Sequence, residues 1–229
     1  MNFFNKKEPT LIENNLYKFA NWIYPPVCGI CGKLSSKSLC NKCEIALKKQ
    51  AAFKIEDYSM ISSFFDEHMY MFYYEGKIRD TILSYKFNEK SYIYETFVNF
   101  LKNNKKMIGQ IKKYDIIIPV PISKKRIKNR GYNQSALLAR KIASTFQIKY
   151  DENILKKIKD NSPQSELNKE DRFINVQNVY KLKRKDNIKN KKVLLVDDIF
   201  TTGNTVNECS KILLENSAKD IGIFTLAKD

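Results

Sequence analysis

Two stretches of this 229-residue chain carry residue types that do chemistry, at spacings that the chemistry requires. The first is CGICGKLSSKSLCNKC, in which Cys28-x-x-Cys31 and Cys40-x-x-Cys43 are separated by eight residues. Each CxxC turn sets two sulfurs on one side of a knuckle, and two knuckles supply the tetrahedron that Zn²⁺ prefers. Gly29 and Gly32 suit turns whose amides must face thiolate sulfur. Four sulfurs leave no open coordination position, so a zinc ion held there is structural. Its binding supplies folding free energy that so small a module lacks. Two redox thiol pairs, or unrelated thiols, are the alternatives to the double-knuckle reading. The fifth cysteine, Cys209, shares a helix face with Val206 and Leu213 and is expected in the core.

The second stretch is VLLVDDIFTTGNTV, residues 193–206. Four apolar residues run straight into Asp197 and Asp198, and then into a threonine-rich turn around Gly203. A buried pair of carboxylates is costly unless something offsets it, and a ligand is the expected offset. Val193–Val196 read as a strand with both acids at its carboxyl edge, where open α/β sheets bind ligands. Thr201, Thr202, Gly203, Asn204 and Thr205 then lead into a helix start. Their amides and hydroxyls, with the positive end of the helix, form a nest for a phosphate. Carboxylates beside a lone phosphate would be repelled by it. They fit if they accept hydrogen bonds from sugar hydroxyls, with a metal nearby. A receiver-type acidic cluster is excluded by position, because only 31 residues (229 − 198) follow Asp198. The purely local alternative is a capping box, Thr205-Val-Asn-Glu208, which explains neither acid nor Thr201, Thr202 and Gly203.

Basic residues form a third feature. PVPISKKRIKNRGYNQ reads as a loop carrying Lys124, Lys125, Arg126, Lys128 and Arg130 with no acid among them, followed by Asn133 as a helix cap. A diphosphate, a nucleic-acid backbone and plain solvent all suit such charges, and composition does not separate them. KLKRKDNIKNKK at 181–192 holds seven cations and one acid. It reads either as an exposed linker or as part of a groove in which cations follow a single strand and tyrosines stack on bases. Over the whole chain, 41 Lys and Arg against 25 Asp and Glu give +16, which attracts polyanions or reflects a lysine-rich proteome.

The elements that must position these residues follow from periodicity. Residues 11–23 place Ile12, Leu16, Phe19, Ala20 and Ile23 on one helical face, ended by Tyr24-Pro25-Pro26. The cysteine module then ends near residue 55. FFDEHMYMFYYEG reads as a hairpin, GKIRDTILSYKF and SYIYETFVNFLKNN as helices, and DIIIPVP as a strand buried on both faces. QSALLARKIASTF is an amphipathic helix with Ala136, Leu137, Ala139 and Ile142 inward. Residues 159–178 read as loop, TVNECSKILLENS as a helix and IGIFTLA as the closing strand. Alternating strands and helices predict an α/β domain with a parallel, doubly wound, Rossmann-like sheet. His68 is the only histidine, so neither a histidine relay nor a histidine-ligated catalytic metal is expected. MNFFNKKEPT lacks the apolar core of a signal peptide, and no apolar run approaches the ~20 residues that span a bilayer. No membrane insertion is expected, and a cytoplasmic location follows, where paired cysteines stay reduced.

VLLVDDIFTTGNT resembles the PRPP (phosphoribosyl pyrophosphate) motif of type I phosphoribosyltransferases. That resemblance implies that Asp197 and Asp198 bind the ribose hydroxyls and act as the catalytic acids. It further implies that Thr201, Thr202, Gly203, Asn204 and Thr205 wrap the 5′-phosphate. By the same resemblance Ser123, Lys124 and Lys125 hold the diphosphate, with Mg²⁺ entering alongside PRPP. Four further segments extend the match: the cysteine module, YYEGKIRDTILSYKF, PVPISKKRIKNRGYNQSALLA and QSELNKEDRFIN. Together they resemble the ComF/GntX family of competence-associated proteins, from about residue 16 to the end. The family implies a zinc module over 1–55 and a phosphoribosyltransferase-like domain over 56–229. It also implies a factor in uptake or use of DNA that binds PRPP, single-stranded DNA and possible uptake-machinery proteins. Arg126, Lys128, Arg130, Lys183, Arg184 and Lys185 are the candidate DNA contacts. Gln164, Leu167, Arg172 and Asn175 match a family pattern in a segment that suits a hood over the site. Phosphoribosyl transfer to an unidentified acceptor is the alternative function.

Overall fold

The computed structural model describes residues 25–87, 90–159, 179–184 and 187–229. Its centre is a six-stranded sheet built from β1 (Ala51–Asp57), β2 (Glu67–Tyr73), β3 (Ile116–Pro119), β4 (Lys149–Tyr150), β7 (Lys192–Phe200) and β8 (Asp220–Lys228). The strand order is β1-β2-β8-β7-β3-β4. Every pairing is parallel except β1 with β2. The three central strands read as almost unbroken apolar runs because helices cover both faces. On β7 the side chains alternate: Leu194 and Val196 enter one core, Val193 and Leu195 the other.

Helices α2 (Gly76–Phe87), α3 (Ile93–Leu101), α4 (Lys105–Ile111) and α6 (Gln134–Phe146) build the first core, around Ile82, Tyr85, Phe97, Phe100, Met107 and Leu138. Helix α7 (Asn204–Glu215) builds the second through Val206, Cys209 and Leu213, so Cys209 is a core residue as its helix face predicts. A short antiparallel ribbon, β5 (Leu155–Lys157) with β6 (Tyr180–Leu182), flanks α7. The α/β class, the mostly parallel sheet and, within the described residues, the helices of the sequence reading are present. Among the described residues no helix is long and apolar enough to cross a membrane.

The structure differs from the sequence reading in four places. The hairpin partner of the aromatic strand lies upstream: AAFKIED forms β1, with Lys54 opposite Tyr70 and Glu56 opposite His68. The expected module border at 55 therefore falls inside β1, which follows helix α1 (Asn41–Gln50) without a linker. The last strand in the chain, β8, sits at the middle of the sheet between β2 and β7. KKRIKNR is not a loop but a helix, α5 (Lys124–Arg130). Ser123 caps it by accepting from the Arg126 amide at 3.2 Å, and Gly131 ends it at φ +78°. Finally, α6 buries Leu138, Ala139, Ile142 and Ala143, leaving Ala136 and Leu137 at the border. Asn133 accepts from the Ser135 amide and sets that register. The expected helix at 11–23, Lys185, and the hood residues Gln164, Leu167, Arg172 and Asn175 lie outside the described residues.

Candidate functional site

Strand β7 continues past the last residue of β3, Pro119, which pairs with Val196. Asp197 and Asp198 thus stand at the rim where the neighbouring strand has stopped. Asp197 Oδ1 accepts from Ser135 Oγ at 2.7 Å and from the Asp198 amide at 2.9 Å. Asp198 is buried, and its Oδ1 lies 3.0 Å from Lys86 Nζ in a largely sheltered ion pair. The expectation that only a ligand offsets these acids is therefore corrected: the chain itself supplies Lys86 and Ser135. Burial, and next the charge of Asp198, push the Asp197 carboxyl up to about 7, against the pull of Ser135 and Lys86.

Lys86 is held by its backbone. Gln134 Nε2 donates to the Lys86 carbonyl at 3.3 Å, and the Tyr132 hydroxyl donates to the Tyr85 carbonyl at 2.6 Å. The Tyr85 hydroxyl in turn donates to the Gln134 carbonyl at 2.6 Å. The last turn of α2 is thereby fastened to the entrance of α6, directly over the acids.

The turn after β7 is shaped by Gly203, the N-cap of α7, at φ +75°. A Cβ there would lie 2.6 Å from Phe200 Cζ, so both the conformation and the space require glycine. No side chain caps this helix. The capping box drawn from Thr205 and Glu208 is not formed, because α7 starts at Asn204, and the local explanation of the motif fails. Beneath the turn, the Phe200 ring stacks on His68 at 4.2 Å between centroids. His68 Nε2 meets Thr225 Oγ1 at 2.9 Å, and burial pushes the imidazole down to about 3. The lone histidine is thus a neutral part of the floor.

The acids, Phe200 and the glycine turn line one cleft of about 320 Å³. Its walls include the acid pair, residues 201–205, Ser135 and four cations: Lys86, Arg126, Arg130 and Lys157. Lys157 lies over the Tyr180 ring, whose hydroxyl meets the Thr205 hydroxyl. Four cations against two acids suit a strongly anionic ligand. The sequence reading divided the basic segment differently. Ser123 is buried as the α5 cap, while Lys124 and Lys125 are exposed and outside the lining. Arg126 and Arg130, read as DNA contacts, belong to the cleft, where burial and the nearby Arg126 hold the Arg130 guanidinium below its usual range. Lys128, Lys183 and Arg184 are exposed, with Arg184 3.8 Å from Asp151. Lys86, Ser135, Lys157 and Tyr180 were missed. Each comes from an element far along the chain, although Lys86 lies within the YYEGKIRDTILSYKF segment.

The four cysteines form a second site. Their sulfurs all lie within 4.8 Å of one another, and Cys31 and Cys40 are 3.9 Å apart. A tetrahedron with ~2.3 Å metal–sulfur arms has edges of ~3.8 Å, so the cluster can hold one metal ion. The Cys40 amide donates to Cys28 Sγ at 3.4 Å. Burial opposes ionisation of Cys28, but the amides of Cys40, Cys31 and Ile30 together outweigh it and bring the thiol down to about 6. The knuckle is seated on α3: Thr96 Oγ1 donates to the Ser38 carbonyl at 2.7 Å, and Asn99 Nδ2 to Ser38 Oγ at 2.8 Å.

Comparison with known proteins places this geometry. A model of the phosphoribosyl transferase domain matches residues 132–229. Competence protein F of Haemophilus influenzae is 30% identical over 207 residues, spanning 89% of this chain and 85% of that protein. The chain belongs to the ComF family. Competence protein ComFC of Streptococcus pneumoniae is 28% identical over 201 residues, covering 88% of this chain and 80% of its own. The DNA utilization protein YhgH of Escherichia coli O6:H1 is 30% identical over 114 residues, half of this chain and 49% of that one. The domain match contains the acids, the turn and α6. It omits the parts of this ComF-family chain that carry the cysteine cluster and Lys86.

Proposed function

We propose that this ComF-family chain is a DNA-utilisation factor that binds PRPP with Mg²⁺ in the carboxyl-edge cleft and single-stranded DNA on the basic surface beside it. The observation that carries the reading is the convergence, in one cleft, of an acid pair, a glycine turn opening a helix, and four cations. In this reading Asp197 and Asp198 accept from the ribose hydroxyls. The amides of 201–205 and the start of the 12-residue α7 hold the 5′-phosphate. Arg126 and Arg130 face the diphosphate, and bound Mg²⁺ supplies further charge neutralisation there. The exposed cations Lys124, Lys125 and Lys128 of α5, with Lys183 and Arg184 just after β6, give a backbone-tracking surface. The competence and DNA-utilisation names of the relatives support the DNA role; a place in the cytoplasm, alongside uptake-machinery proteins, belongs to the same proposal. The cysteine cluster is read as a structural zinc site, since four thiolates close the coordination sphere.

A second reading, pentosyl transfer to an unidentified acceptor, is favoured by one observation. Asp197 has a carboxyl poised near 7 at the sugar position, which suits a general base or a stabiliser of oxocarbenium charge. Two measurements separate the readings. Under the first, calorimetry shows Mg²⁺-dependent PRPP binding, altered by a single-stranded oligonucleotide. Oligonucleotide affinity also falls with salt, with a log–log slope of about −0.7 per phosphate contacted. Pyrophosphate release from PRPP with a nucleobase or other acceptor, abolished in Asp197→Ala/Asp198→Ala, would establish the second. No PRPP binding at millimolar concentration would overturn both.

A further inference from the structure

Lys86 is a cation of the cleft that the structure pairs with an acid of the site itself. Its ion pair with Asp198 is 3.0 Å long, and the side chains keep only 19% and 10% of their exposure. The backbone beneath it is fixed at three points, by Gln134, Tyr132 and Tyr85, so the main chain of α2 holds its place. A lysine on such an anchor can still move its charge, because the ammonium rides on a flexible four-carbon stem and has no fixed donor geometry. Arg126 and Arg130 of α5 line the same cleft, and Arg130 Nη1 donates at 3.3 Å to Gln134 Oε1, on the side chain that also holds the Lys86 carbonyl. A sugar whose hydroxyls engage the acids carries its anomeric substituent into that space.

We propose that Lys86 is a ligand-binding residue with two alternative partners: Asp198, which it holds in this structure, and the diphosphate of an incoming activated sugar. The inference rests on reading the cleft as a PRPP site. It adds that Asp198 is released to a ribose hydroxyl by transfer of its counter-ion to the ligand, so that the carboxylate exchanges an ion pair for a hydrogen bond from the sugar. Such an exchange makes the site selective. A sugar phosphate without a diphosphate offers Lys86 no second partner, and must compete with it for Asp198.

Paired titrations test this. PRPP with Mg²⁺, and ribose 5-phosphate alone, are titrated into wild type, Lys86→Met and Lys86→Arg, with far-UV dichroism to check folding. Lys86→Met is expected to weaken PRPP about tenfold or more, the scale of one lost charge-assisted hydrogen bond, and to leave ribose 5-phosphate unchanged or tighter. Lys86→Arg keeps the charge and should retain most PRPP affinity. Should Lys86→Met not fold, Lys86→Met/Asp198→Asn removes both charges, and the ratio of the two affinities still reports the exchange. An equal loss for both ligands, or none for either, makes the pair merely structural and overturns the proposal, while the PRPP reading survives. Failure of wild type to bind PRPP overturns both.

Discussion

Asp197 is a carboxyl group that the fold keeps from ionising at its ordinary pH. Its value of about 7 lies above the 3.8 of the free side chain, so between those values the folded protein holds a proton that the unfolded chain has released. Stability from this group is full below about pH 4 and is lost as pH rises through 7. Asp197→Asn keeps the oxygen that accepts from Ser135 and removes the charge. It should stabilise the protein at pH 8 by about 2 kcal/mol, with the gain gone at pH 4. Asp197 keeps partial access to solvent at the cleft floor, which holds the gain below the ~4 kcal/mol that full burial would give. Urea unfolding at the two pH values measures it, and an equal effect at both would point to lost packing instead. The sequence made the acids and the glycine turn legible because all their meaning lies within 13 consecutive residues, VLLVDDIFTTGNT. Lys86 and Ser135 were not legible, since a lysine ending one helix and a serine opening another acquire a role only when the fold sets them against Asp198 and Asp197.

At the scale of elements, the turn between β7 and α7 depends on contact with the aromatic floor beneath it. Gly203→Ala must place a methyl group against the Phe200 ring and hold φ at +75°, a conformation costly for alanine. The expected loss is about 1–3 kcal/mol in stability, together with loss of inorganic phosphate and PRPP binding. Thermal melts and titrations read the two effects separately, and intact phosphate binding would remove the turn from the site. Helix periods and buried strands were readable along most of the chain because each follows local hydrophobic spacing. Segment 124–130 is a helix where its run of charges suggests a loop, because its ends decide the conformation. Ser123 and Gly131 are the cap and stop that make it a helix, and that helix turns Arg126 and Arg130 towards the acids. The antiparallel edge was misjudged for the opposite reason: AAFKIED has too weak an alternation to declare itself without β2 beside it.

For the whole molecule, the cysteine module is part of the main core. Cys28, Leu39, Cys43 and Leu47 belong to the same buried cluster as Phe72, Phe97 and Phe100. A Cβ on Gly29 would lie 2.1 Å from Thr96 Oγ1, which shows how closely the knuckle sits on α3. With zinc held by the four cysteines as proposed, chelation should lower the melting temperature of the entire protein by about 10 °C, within one cooperative transition, since several kcal/mol of metal-linked folding energy is lost. Calorimetry before and after chelation measures this. An unchanged main transition would mean that the knuckle folds independently. Spacing alone revealed the cluster, but no spacing could reveal that its back face is a wall of the domain core.

The most direct test of the central claim is a crystal structure of the protein soaked with PRPP and Mg²⁺. The expected result has Asp197 and Asp198 accepting from the ribose hydroxyls, the 5′-phosphate on the amides of residues 201–205, and Lys86 turned to the diphosphate. Asp198 still bound to Lys86 and Asp197 to Ser135, with no sugar in the cleft at saturating PRPP, would contradict it.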